Sequence, residues 1–125
     1  MKGTKPHMVQ ANDAIDKKIA APSWLSADAK AEWKRVFPSL VSRKILTNAD
    51  LGGLENYCIA IGRVRQIEKA LQGGFEEKLV RAQDKAMTTA RQLAAELGLT
   101  PVSRSRPTMR DDNHEDDEEN PLDVS

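Results

Sequence analysis

Histidine, cysteine and aromatic side chains are scarce in this chain, and each scarcity removes a class of function. The two histidines, His7 and His114, lie in polar, weakly periodic ends, so neither offers a packed general base or a member of a metal cluster. The single cysteine, Cys58, excludes an internal disulfide framework and every multi-cysteine zinc pattern; it reads as a buried thiol in a reducing compartment. Aromatic residues make up only 4% of the chain, too few for a surface on which single-stranded bases could stack. No apolar run reaches membrane-spanning length, and the first ten residues lack the apolar stretch of a secretory signal, so a soluble intracellular protein without a membrane partner is expected. The glycine pairs Gly52-Gly53 and Gly73-Gly74 are not followed by the Lys-Ser/Thr of a phosphate-cradling loop, and there is no Gly-x-Ser-x-Gly elbow. The acids Asp111, Asp112, Glu115 and Asp116 match no EF-hand loop. The expectation is a non-enzyme with no catalytic residue, no metal site and no cofactor.

What the chain does have is charge, unevenly distributed. The formal net charge is zero, yet all 19 lysines and arginines lie at or before Arg110 and eight of the 19 acids lie after it, so a body of +8 carries a tail of −8. A positive body beside a negative tail points to a polyanionic partner, with the tail either competing for the same surface or docking elsewhere; simple solubilisation is the alternative.

Four segments follow from the patterning. Residues 1–21 are polar and mixed in charge and are expected to form a flexible basic arm, although Ala14, Ile15, Ile19 and Ala20 would make a short helix beside a stabilising neighbour. A helical domain is expected over 22–100, opening at Pro22-Ser23-Trp24-Leu25. Ser26 suits an N-cap with Asp28 in the first turn, and Leu25, Ala29, Trp33, Val36 and Leu40 keep helical spacing. Pro38 is expected to break this helix and start a second short piece reaching about Lys44. Thr47 and Asp50 resemble a capping box that opens a helix to about Gln72, with Leu54, Cys58, Ile61, Val64 and Leu71 inward and Tyr57 alongside. After Gly73-Gly74 another helix is expected over about 76–97, ended by Gly98 and Pro101, and so short a turn makes the pair antiparallel. Residues 101–110 form a basic linker. Residues 111–125 form an acidic tail expected to be disordered, with seven acids in nine residues over 111–119. The fold class is all-α: short N-terminal helices, a long antiparallel helical hairpin, and disordered ends.

Three groups of residues stand out as candidate sites. Lys2, Lys5, Lys17 and Lys18, with Lys30, Lys34, Arg35, Arg43 and Lys44 in the first helical region, are placed to neutralise phosphates, or else form an ordinary solvated face. Short, short and long helices are compatible with a helix-turn-helix head, with Thr47 and Asn48 at the start of the third element, and duplex DNA suits this head better than a single strand. Ala82, Ala86, Ala90 and Ala94 recur at four-residue spacing, flanked by Leu93 and Leu97, a low ridge that lets another backbone approach; the partner is either the preceding helix or another subunit. A small core of about 75 ordered residues favours association. Leu122 and Val124 follow the acidic run as a short element suited to ordering on a partner.

Several of these residues together resemble a known family. Pro22-Ser23-Trp24-Leu25, Trp33, Ile45-Leu46-Thr47 with Asp50, Tyr57-Cys58, and Glu96-Leu97-Gly98-Leu99-Thr100-Pro101 followed by Ser103-Arg104 resemble the phage terminase small subunits over about residues 22–106. The resemblance implies an all-helical subunit in the host cell cytoplasm that forms a ring-shaped homo-oligomer and recognises the packaging-initiation region of double-stranded viral DNA. It also implies recruitment and regulation of a terminase large subunit carrying the ATPase and nuclease sites. The cationic residues named above rest on charge, not on the family. A helical adaptor that binds only protein and a small helix-turn-helix transcriptional regulator are the alternatives.

Overall fold

The computed structural model describes residues 13–101. The described residues contain three α-helices and no strand: α1 (Ala27–Ser42), a single 3-10 turn (Asn48–Asp50) running directly into α2 (Leu51–Gln72), and α3 (Glu77–Leu97). The molecule is all-α, as its patterning requires.

The helix ends follow local chemistry. Ser26 is extended and its Oγ accepts from the Ala29 backbone N–H at 3.1 Å, supplying one of the donors that the first turn cannot satisfy internally. At the entry to α2, the Asp50 carboxylate accepts from the Thr47 N–H at 2.9 Å and from its hydroxyl at 3.1 Å. Gly74, with φ +151°, turns the chain from α2 into α3. Gly98 closes α3 in the left-handed region at φ +78°, and the Leu99 N–H reaches back to the Ala94 carbonyl at 2.8 Å.

The structure corrects one local expectation. Pro38 does not divide the first helix: α1 runs through it as 16 continuous residues. Proline removes a donor to the Lys34 carbonyl and crowds it, a cost of roughly 3 kcal/mol. Pro38 is exposed, however, while Val36, Phe37 and Leu40 on either side of it are buried on one continuous face. Breaking the helix would uncover that face, and burying it outweighs the local penalty.

α2 is the central element. α1 runs back along one side of it, with Asp28 beside Lys69 and Glu32 beside Tyr57 and Arg65, while α3 packs along another side in antiparallel sense. Leu54, Tyr57 and Cys58 are buried as their spacing indicates; Ile61, Val64 and Leu71 are half-buried. Ala60 and Gly62 are buried as well, because helices on two sides require small residues where backbones approach. At Gly62 a methyl group would lie 3.1 Å from the Ala29 nitrogen and 3.3 Å from its Cα.

Packing begins upstream of Pro22. The Ile15 N–H donates to the Leu46 carbonyl at 2.7 Å, the Trp33 indole donates to the Ile19 carbonyl at 2.9 Å, and Ile15, Ile19 and Ala21 rest against the core. An apolar residue every few positions is enough to anchor an extended strap where the helices leave a seam, a possibility that helical periodicity does not reveal.

Candidate nucleic-acid interface

The buried face of α1 dictates which side it shows to solvent. With Ala29, Glu32, Trp33, Val36 and Leu40 turned inward, Lys30 and Lys34 emerge one turn apart on the outer side, with only Ala27 and Ala31 beside them to impede a broad ligand. These residues and Arg35 border a shallow depression of about 490 Å³. The strap over 18–21, held by the Trp33–Ile19 hydrogen bond, adds Lys18 to the same surface. Between strap and helix lies a groove of about 560 Å³ with Ile19, Ala21, Trp33, Phe37, Pro38 and Val41 along its floor and Lys18, Lys30 and Lys34 on its rim. Trp33 and Phe37 stack at 5.5 Å with nearly parallel rings and stiffen that floor.

The opposite side of α1 holds a cluster that its sequence spacing only hints at. Glu32 is fully buried, and its carboxylate accepts from Arg35 Nε at 2.9 Å and Nη2 at 2.6 Å, from Arg65 Nη2 at 2.9 Å, and from the Tyr57 hydroxyl at 2.5 Å. Burial alone would raise the Glu32 pKa; the hydrogen bonds from Arg35 and Tyr57 and the charges of Arg35 and Arg65 prevail and hold it below the usual carboxylate value. The Tyr57 phenol is pushed upward by burial and by its bond to Glu32. Burial, aided by the Glu32 charge, pushes the Cys58 thiol up to about 12, so it remains protonated at neutral pH and is no nucleophile. The available signal was a glutamate lying on the apolar arc between Ala29, Trp33 and Val36; its partners Tyr57 and Arg65, from another helix, carried none.

The nine cationic candidates separate by environment. Lys2 and Lys5 lie outside the described residues. Lys17, Lys18, Lys30, Lys34 and Lys44 are exposed, Lys44 in left-handed backbone at φ +58° just past α1. Arg35 is exposed yet holds Glu32, and Arg43 is half-buried with Nη1 donating to the Gly98 carbonyl at 2.5 Å, joining the end of α1 to the end of α3. The alanine ridge also divides: Ala90 and Ala94 are buried, Ala86 is half-buried and Ala82 is exposed, while Leu93 and Leu97 are half-buried. A four-residue step exceeds the helical turn, so the ridge winds out from beneath α2. Ala82 and Ala86 border a second groove of about 680 Å³ between α2 and α3, with Ile59, Ile67 and Leu93. Leu122 and Val124 lie outside the described residues.

Among the described residues no group of three or more His, Cys, Asp or Glu side chains is arranged to hold a metal ion, and no helix is long and apolar enough to cross a membrane.

Fold and surface together define a small all-α protein with a lysine-rimmed groove on its first helix. The family described as phage terminase, small subunit, matches residues 29–114, most of the chain, and the chain belongs to that family. No curated protein and no solved structure matches it. Its role accordingly lies in phage DNA packaging within the host cell, in a family whose small subunits are generally non-catalytic and regulatory.

Proposed function

We propose that the chain binds duplex viral DNA at the packaging-initiation region through the basic face of α1, assembles into a ring-shaped homo-oligomer through the α2–α3 hairpin, and recruits and regulates the large ATPase-nuclease subunit. The observation that carries the DNA reading is the grouping of Lys18, Lys30 and Lys34 on one surface contributed by two separate segments. Their ammonium groups are suited to phosphates, which set orientation and affinity without reading bases. Support for assembly comes from the groove beside Ala82 and Ala86, where these two small side chains and the apolar Ile59, Ile67 and Leu93 leave room for a neighbouring helix between the longer Arg63, Lys85 and Glu96. Lys17, Lys44, Lys2 and Lys5 extend the basic surface in this reading, and Arg35 and Arg43 add charge while serving the internal bonds described above.

Binding of the full chain to a long duplex, measured across a salt series, tests the proposal. Log affinity should fall steeply as log salt rises, and K30E/K34E should lower affinity at least tenfold and flatten the slope by about two phosphates' worth. An unchanged slope and affinity in K30E/K34E would remove α1 from the interface.

A further inference from the structure

We propose that the groove between the strap and α1 is the docking site of this chain's own C-terminal segment, with Leu122 and Val124 entering its apolar floor and the preceding acids meeting Lys18, Lys30 and Lys34. The inference goes beyond the DNA reading, since docking does not require DNA.

The argument begins with a match of two unlike chemistries in one order. The groove joins a floor of Trp33, Phe37 and Val41 to a rim of three lysines. The C-terminal segment joins seven acids within 111–119 to Leu122 and Val124, two apolar residues two positions apart. In extended chain, alternate side chains point to the same side, so Leu122 and Val124 can enter one floor together while the acids trail back across the rim. A purely electrostatic partner would leave the exposed Pro38 and the half-buried Ile19, Ala21 and Val41 in water, above an aromatic pair that is itself buried, and a purely apolar one would leave the lysines unanswered.

Connectivity favours this occupant over a foreign one. The Arg43–Gly98 bond ties the end of α3 to the end of α1, so the chain leaves α3 close to Val41, at one end of the groove. The residues between 101 and 122 can extend to about 65 Å, whereas the stretch of α1 from Lys30 to Val41 is only about 16 Å long. A tether of that kind gives an effective concentration on the order of millimolar, enough for a weak contact to be well populated. Because the rim lysines are those assigned to phosphate in the proposed function, a docked tail and bound DNA exclude each other on this face.

Disulfide trapping in the full chain tests the docking without DNA. Ser42 lines the groove at its Val41 end, and S42C/S125C under mild oxidation should form an intrachain cross-link at least tenfold faster than T88C/S125C, whose first thiol lies on the exposed outer side of α3. The native thiol, Cys58, is buried and does not interfere. Adding L122S/V124S, which leaves every charge in place, should bring the rate down to that control. Equal rates in the two cysteine pairs, a rate indifferent to L122S/V124S, or cross-links that join separate chains would each overturn the proposal. A long duplex should slow the trapping; trapping that persists with duplex present would instead refute lysine–phosphate binding and leave the docking in place.

Discussion

Glu32 is where a single residue carries the most consequence. Its carboxylate joins α1 to α2 through Tyr57 and Arg65, and its low pKa means that the folded chain binds fewer protons than the unfolded chain between the depressed native value and the ordinary 4.5. Its contribution is therefore complete above that ordinary value and is lost as pH falls through the native value beneath it. Glu32→Gln keeps the shape but weakens three charge-assisted contacts. Arg35 and Arg65 still reach water, so the loss should be about 2 kcal/mol, short of that for an entirely buried ion pair. Melting curves from pH 7 to pH 3 should show Tm about 10 °C lower in the variant at neutral pH, with the gap closing on the acid side. A gap independent of pH would mean that the charge at Glu32 contributes nothing. Gly62 is the second such position. Alanine is the better helix former by about 1 kcal/mol, but its methyl would meet the Ala29 backbone at 3.1 Å, and backbone has nowhere to turn. Gly62→Ala should lower stability by about 1 kcal/mol in denaturant titration; a stabilised variant would show that α1 moves aside freely.

At the level of elements, α3 shows how one repeated residue serves two surfaces. Ala90 and Ala94 are covered by the rest of the domain, whereas Ala82 and Ala86 edge the open groove between α2 and α3. A bulky side chain should act differently at the two ends of the ridge. Ala90→Leu should overpack the hairpin and cost about 1–3 kcal/mol, visible as a fall in Tm. Ala86→Trp should leave Tm nearly unchanged and reduce the assembled mass in light scattering. If Ala86→Trp assembles normally, subunits associate through another surface. α1 makes a related point about context. Its proline would end an isolated helix, but its inner face is apolar on both sides of Pro38, and tertiary burial keeps the element whole.

Across the whole molecule the governing feature is the division between a +8 body and a −8 tail. If the tail shields or occupies the basic face, removing residues 111–125 should tighten binding to a non-specific duplex several-fold at low salt, with the advantage shrinking as salt rises. Equal affinity of the two chains at low salt would show that the tail does not oppose DNA on this surface. The same removal should leave Tm within a degree or two, since every core residue described lies upstream.

Much of this architecture is legible in the sequence. Ser26, Asp50, Gly74 and Gly98 mark helix ends because capping and left-handed backbone are chemistry within a few residues, and the apolar spacing of α1 and α2 marks their buried faces for the same reason. The segment from about Pro22 to Arg106 also carries the family resemblance. What required the tertiary structure joins residues distant in sequence. The strap reaches Trp33 from Ile19, Glu32 gathers Tyr57 and Arg65, Arg43 reaches Gly98, and Lys18 comes to share a groove with Lys30 and Lys34. Periodicity shows only that a residue faces inward or outward on its own helix. Which charge it meets there depends on how the helices cross, and that is decided by the packing of the whole core.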